Sequence, residues 1–332
     1  MIDQNNEICR ICKAWGVGYV GSKNKHIKWL FSNLPAGQRF VDLFGGGFAA
    51  SHYAVESGKY PIVIYSDINP QIVNLMQRAA SGDFDVGRFK PKWYSRNEFF
   101  SLKESDPFVK YVFSYGNGGK DYLGLETSEF FKRWYAFYEF LYNSNISDYF
   151  IEIMARPLNE IQEYNNKSFV EKYLYSTGYC SYHSGKNGIH TDIFRLIKAG
   201  RAARKCVVMQ RDYKDYEYKK GDIVYCDIPY IMRRGTKHYE LKFNHDEFYE
   251  WARKTPCFIS EFQAPGDFVL IDSKEVKSSL GLGYNKQSNE CLFVSPAAIR
   301  EGVYNAHKQL CFDWGRDSIG DTQRGLGVDD MA

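Results

Sequence analysis

Along KNKHIKWLFSNL, residues 23–34, apolar side chains fall at Ile27, Leu30, Phe31 and Leu34. That spacing marks one face of a helix, and Pro35 with Gly37 ends it. The pattern then changes to continuous apolar runs. RFVDLF and PIVIYSD read as short buried strands, each feeding a helix. The first helix opens through GGGFAAS; the second is NPQIVNLMQRAA, with Asn69 as N-cap and Pro70 in the first turn. Strand, helix, strand, helix at this spacing predicts the start of a parallel, doubly wound α/β fold. Between residues 83 and 204 the rhythm is lost: an aromatic helical stretch (SEFFKRWYAFYEFLY), a Gly/Asn loop (SYGNGGKDY) and a polar stretch (STGYCSYHSGKNGIHTD) follow. It resumes with KCVVMQ and DIVYCD as strands, FNHDEFYEWARK as a helix, and CFIS and ECLFVS as further strands. The simplest organisation is one core, residues 1–82 and 205–332, carrying residues 83–204 as an insertion. No internal repeat or low-complexity tract interrupts it.

Composition narrows the class. A hydrophobic content of 44% with 25% charged residues is that of a globular domain, and 332 residues suffice for one large domain with a substantial insertion. No apolar run approaches the roughly 20 residues that cross a bilayer. The first residues, MIDQNNEICRICKAWG, lack a signal pattern, so a cytoplasmic location is expected. The net charge is only +3, so any nucleic-acid face must be local. Tyrosine is abundant and offers both a stacking face and a hydroxyl, although most rings of such a chain belong to the core. Of the cysteines only Cys9 and Cys12 lie close together. A structural zinc needs a second such pair, so no metal is expected, and free thiols fit a reducing compartment.

Chemistry concentrates at two strand ends. Gly45, Gly46 and Gly47 sit where a strand feeds a helix, and with Ala50 they satisfy G-x-G-x-x-A. Such a turn lets backbone amides approach a ligand. Asp67 ends the next strand about 20 residues on, where an acid bonds ribose hydroxyls. A nucleoside-containing cofactor is therefore expected, either a nicotinamide dinucleotide or S-adenosyl-L-methionine. The second end is Asp227-Ile228-Pro229-Tyr230, an acid, a fixed backbone bend and a ring in four positions.

VYCDIPY resembles the D-P-P-Y signature of amino-group DNA methyltransferases. The order GYVGSKNK, VDLFGGG, YSDIN, insertion, VMQRDY, VYCDIPY resembles the Dam-like (alpha-group) DNA adenine-N6 methyltransferases over most of residues 17 to 260. The resemblance implies a Rossmann-like core that binds S-adenosyl-L-methionine, a target-recognition region inserted into it, and methyl transfer to the exocyclic amine of an adenine flipped out of duplex DNA. By the same resemblance Asp227 accepts one amine proton and the Ile228 carbonyl the other. Both bonds strengthen as positive charge grows on nitrogen, which is differential transition-state binding. Pro229 biases residue 228 towards an extended backbone, and Tyr230 stacks on the extruded base. An acid at 227 points to adenine, since the cytosine-amine enzymes carry serine there. The departure is Ile228, which stands where the family has its first proline.

For the cofactor, the resemblance places Tyr19 and Lys23 near the methionine portion, Asp42 and Gly45 to Gly47 beneath it, and Asp67 at the ribose. Asp212 and Tyr213 border the adenine, and Asp227 faces the cofactor as well as the base. For DNA, the basic run HSGKNGIHTDIFRLIKAGRAARK is the first candidate: Lys186, Arg195, Lys198, Arg201, Arg204 and Lys205 stand against Asp192 alone. A solvated basic helix explains that run equally well. Asn117 and Lys120, with Tyr122, form a second candidate, and Lys90, Lys92, Trp93 and Arg96 a third. A monomer or weak dimer is expected. Other readings stay open at this point: an RNA or protein-amide acceptor, a catalytically weak or silent DNA- or cofactor-binding relative, and an oxidoreductase, which leaves DIPY without a purpose. A partner nuclease, as in restriction–modification, and the recognised DNA word are also open.

Overall fold

The structure, a computed structural model, describes residues 14–85, 88–89, 94–122, 189–230, 243–277 and 287–305. It divides into two compact units, Met1–Phe31 with Gln38–Tyr216, and Ser32–Gly37 with Glu217–Ala332.

Among the described residues the first unit begins with a 3-10 turn, Lys23–Lys25, and with helix α1, Ile27–Asn33, whose residues to Phe31 belong to it. Ile27, Leu30 and Phe31 are buried, the face that the periodicity predicts. Three parallel strands follow in space, β1 (Arg39–Asp42) beside β2 (Ile62–Asp67) and β2 beside β3 (Cys206–Gln210). Helix α2 (Ala49–Ser57) links β1 to β2, and α3 (Pro70–Ser81) follows β2. Asn69 caps α3 as expected, its side chain accepting the Gln71 amide at 3.0 Å, with Pro70 in the first turn. The doubly wound beginning is therefore present.

The expected interruption between α3 and β3 is built, where described, from α4 (Arg96–Leu102), α5 (Pro107–Val112) and α6 (Ile189–Ala203). These helices do not form a body of their own. Phe99, Phe108 and Val112 join Ile193, Leu196 and Ile197 in one apolar cluster with Ile72, Met76 and Tyr65 of α3 and β2. These described parts of the insertion thus share the core of the first unit. The aromatic stretch around residues 128–142 lies outside the described residues, as do Lys186, Lys90, Lys92, Trp93, Cys9 and Cys12.

In the second unit the strand order is β4 (Asp222–Asp227), β5 (Phe258–Glu261), β7 (Gln287–Val294) and β6 (Val269–Lys277). The first pair is parallel and the other two are antiparallel. Helix α7 (His245–Ala252) lies between β4 and β5 in the chain, and α8 (Pro296–Arg300) follows β7. β6 has no counterpart in the sequence reading. VLIDSKEVK carries four charged residues and exposes Val269 and Leu270, the composition of an edge strand rather than a buried one.

Candidate active site

In the first unit the glycine turn is tied down on every side. The Gly45 amide donates to the Ser66 carbonyl at 2.9 Å, and the Phe48 amide donates back to the Gly45 carbonyl at 2.8 Å. Asp67, at the end of β2, accepts the Gly46 amide at 2.8 Å on one carboxylate oxygen and the Asn69 amide at 2.8 Å on the other. Burial pushes this carboxyl above its usual range, and the amide hydrogen bonds from Asn69, Gly46 and Ile68 pull the other way. Tyr65 sits wholly inside and its hydroxyl donates to the Gly46 carbonyl at 2.8 Å. Burial, and then the Asp67 charge, push the Tyr65 phenol well up, so it remains a donor.

Glycine is required here for space as well as for φ. A Cβ on Gly45 would meet the Tyr65 ring at 2.2 Å, and one on Gly47 would meet Tyr19 Cβ at 2.5 Å. Gly46 has φ +43°. The next residue, Phe48, is left-handed as well, at φ 67°, although it carries a bulky side chain. Such a conformation costs about 1–3 kcal/mol and persists only where its surroundings hold it. The Phe48 ring is fully buried and packs edge-on to Tyr65 at 5.3 Å.

The space above Gly47 is occupied by the chain itself. Val17 donates its amide to the Gly47 carbonyl at 2.8 Å, and Tyr19 lies against Gly46 and Gly47. The structure thereby brings Tyr19, Gly45, Gly46, Gly47 and Asp67 together, five of the residues marked for the cofactor. Asp42, at the end of β1, accepts the Ser51 hydroxyl at 2.7 Å inside the unit. Lys23 is buried in the first 3-10 turn. Arg211 donates its amide to the Asp67 carbonyl at 3.1 Å, which draws the segment after β3 to the same strand end. There the Tyr213 ring stacks on Phe44 at 5.4 Å, while the Asp212 carboxylate caps its own turn through the Lys214 amide at 3.0 Å. Sequence reading did not single out Phe44 or Tyr65.

In the second unit, β4 is buried up to Cys226, and Asp227 emerges half-buried. Ile228 is 2% exposed, so packing anchors this residue at the position where a proline ring was expected. The Pro229 carbonyl accepts a hydrogen bond from His245 Nε2 at 2.8 Å. The Tyr230 hydroxyl donates to Glu290 on β7, and its ring meets Phe262 edge-on at 4.8 Å. Burial, then the charges of Asp227 and Glu290, push the Tyr230 phenol far above its ordinary value, so it keeps its proton. Neither His245 nor Glu290 was read from the sequence. A signal existed for Glu290: it shares a strand face with Leu292 and Val294, both fully buried, and an acid on such a face needs a partner.

The residues marked for DNA have mixed placements. Arg201 is half-buried on α6, and Lys205 and Lys120 are exposed. Arg195 and Lys198 engage groups of the first unit, as does Asn117, whose side chain donates to the Tyr111 carbonyl at 2.8 Å. Arg204 pairs with Asp85. Tyr122 is core, and the Arg96 guanidinium lies over its ring at 5.2 Å. Among the described residues no group of three or more His, Cys, Asp or Glu could hold a metal ion. No helix among them is long and apolar enough to cross a membrane.

Comparison with known proteins gives these two strand ends a family. The retron Ec67 DNA adenine methylase of Escherichia coli is 28% identical over 118 residues, which span 32% of this chain and 40% of that protein. The family model for D12 class N6 adenine-specific DNA methyltransferases matches residues 19–258, from Tyr19 of the cradle through the DIPY segment to β5. With most of its length inside that match, the chain belongs to the D12 class N6 adenine-specific DNA methyltransferases.

Proposed function

We propose that the protein transfers a methyl group from S-adenosyl-L-methionine to N6 of an adenine in duplex DNA, after the base has left the helix. The observation that carries this reading is the end of β4. An acid emerges half-buried from an otherwise buried parallel strand, and the next three residues are pinned by packing and hydrogen bonds.

The first unit has the donor set for an adenosyl group. Asp67 accepts amide hydrogens from Gly46, Asn69 and Ile68, and of its roughly four acceptor positions the one left suits a ribose hydroxyl. The Phe44–Tyr213 ring pair after β3 offers an apolar wall for a purine. Tyr19 lies against the turn and Lys23 follows it in the chain as a buried cation, and both suit the amino-acid portion. S-adenosyl-L-methionine, when bound, supplies an electrophilic methyl on sulfur.

The adenine amine is a weak nucleophile because its lone pair is delocalised into the ring. Asp227 would accept one amine proton and the Ile228 carbonyl the other. These acceptors hold the amine in line, and both gain strength as nitrogen becomes positive. No covalent enzyme intermediate is needed, since orientation of two bound reactants supplies much of the acceleration. Tyr230 offers a ring whose position is set by Glu290, so it can face a base without swinging. Of the cations marked for DNA, Lys120 and Lys205 are exposed and suit phosphates.

The test is incubation of the full chain with S-adenosyl-L-methionine labelled in the methyl group and adenine-containing duplex. Label is expected at adenine N6. Transfer to RNA or protein alone, or cofactor binding with no transfer to any acceptor, would replace this reading with one of the alternatives.

A further inference from the structure

The segment Trp15–Gly18 is gripped by side chains that the charge pattern assigns to DNA. The Gly16 amide donates to His52 Nδ1 at 2.9 Å. His52 is 1% exposed, and its other nitrogen, which must then carry the proton of the neutral ring, faces Glu56 Oε1 at 3.2 Å. Glu56 also accepts Trp15 Nε1 at 2.6 Å and pairs with Lys198 Nζ at 3.2 Å, and that ammonium lies 5.8 Å from the centre of the Trp15 ring. From the same helix, Arg195 donates to the Val17 carbonyl at 3.0 Å and pairs with Asp192 at 3.6 Å. Asn117 donates to Asp192 at 3.3 Å and lies so close to Gly18 that a Cβ there would fall 2.5 Å from its amide carbon. Beneath, a Cβ on Gly16 would strike the Gly47 carbonyl at 2.1 Å.

We propose that Arg195, Lys198 and Asn117, together with His52 and Glu56, are positioning residues: they clamp Trp15–Gly18 onto the glycine turn and so set Tyr19 for the cofactor, and they do not serve as phosphate contacts. The proposal rests on the cofactor reading above. The physical ground is the state of these cations. The Arg195 and Lys198 side chains are only 14% and 12% exposed, and each has a carboxylate partner. A cation serving a phosphate would have to break that pair, and for Arg195 this would leave Asp192, itself only 13% exposed, without its charge partner. The direction of each bond also matters. An amide, an indole and a carbonyl of the segment are each taken by a different side chain, which fixes it against rotation as well as against lifting.

The experiment uses the full chain with Lys198→Gln, Lys198→Arg and Glu56→Gln. S-adenosylhomocysteine binding is measured by calorimetry, and duplex binding is followed across a salt series. Lys198→Gln and Glu56→Gln should each weaken S-adenosylhomocysteine about 10-fold, the scale of a hydrogen bond to a charged group. In turnover the loss should appear in the KM for S-adenosyl-L-methionine much more than in kcat, and Lys198→Arg should recover most of it. The slope of log affinity against log salt for DNA should match wild type, whereas removing a phosphate contact lowers it by about 0.9. Hydrogen exchange at the Gly16 and Val17 amides should quicken in both weakened variants, a readout that needs no ligand. A reduced salt slope with cofactor affinity retained overturns the proposal. Wild type that fails to bind S-adenosylhomocysteine overturns the cofactor reading with it, and is told apart because the clamp alone fails when wild type and variants bind equally.

Discussion

The two strand ends proposed to carry the chemistry are built in opposite ways. At the end of β1 the site is made of backbone: the Gly45 and Gly46 amides and the Gly46 carbonyl bond to β2, the Phe48 amide closes the turn onto the Gly45 carbonyl, and strain at Phe48 is held in by a packed ring. At the end of β4 the site is made of side chains: Ile228 anchors by burial, His245 reaches one carbonyl, and Glu290 holds one hydroxyl. The first kind of site is inseparable from the fold around it. The second hangs from a finished strand, so its chemistry can be removed while the fold stays.

That contrast is sharpest at Asp227. Asp227→Ala should lower methyl transfer by about 10²–10³-fold, the scale of losing one preorganised transition-state contact, and should leave thermal melting close to wild type. A variant that melts far lower would break the comparison, as would one that turns over normally. Gly47→Ala is the converse. Its Cβ would collide with Tyr19 Cβ, and the relief must come from backbone. A loss of about 1–3 kcal/mol in stability is expected from such overpacking, together with cofactor binding, as read by denaturant titration and calorimetry. Glu290→Gln should be milder. It keeps the shape and weakens the acceptor of a buried phenol, for about a 10-fold loss in turnover with cofactor affinity unchanged.

The smallest effect concerns pH. Burial pushes the Glu56 carboxyl up, but the hydrogen bonds from the neutral His52 ring and from Lys198, with the Lys198 ammonium charge, hold it down at about 2. A carboxyl depressed in the fold stabilises above its unfolded value and loses that contribution as pH falls through the folded one. The loss should run from about pH 4.5 down to 2. Because Glu56 is 40% exposed, it should amount to no more than about 1 kcal/mol. Burial lowers the His52 pKa, so this ring stays neutral until well below its ordinary range. Melting curves of wild type and Glu56→Gln taken at successive pH values should converge as the solution is acidified.

Much of this was readable in advance because it is local. Asn69 and Pro70 announce the start of α3, and buried runs such as RFVD and DIVYCD can only be interior strands. The glycines and Asp67 were read for a ligand, and the structure adds that the same glycines admit Tyr65 and the Val17–Tyr19 segment. β6 escaped notice because an edge strand needs no buried run. The basic character of α6 was evident, yet two of its cations, Arg195 and Lys198, meet acids at a distance in sequence or one turn away on a buried face.

By itself, then, the order of residues determined the elements, the parallel α/β start and the two strand ends proposed for the chemistry, since propensity, periodicity and turn stereochemistry act over a few neighbours. Only the tertiary structure decided which carboxylate meets which cation, and that Glu290 and His245 serve the DIPY segment. Pairings of that kind depend on burial, and burial is a property of the packed chain, not of any stretch of it.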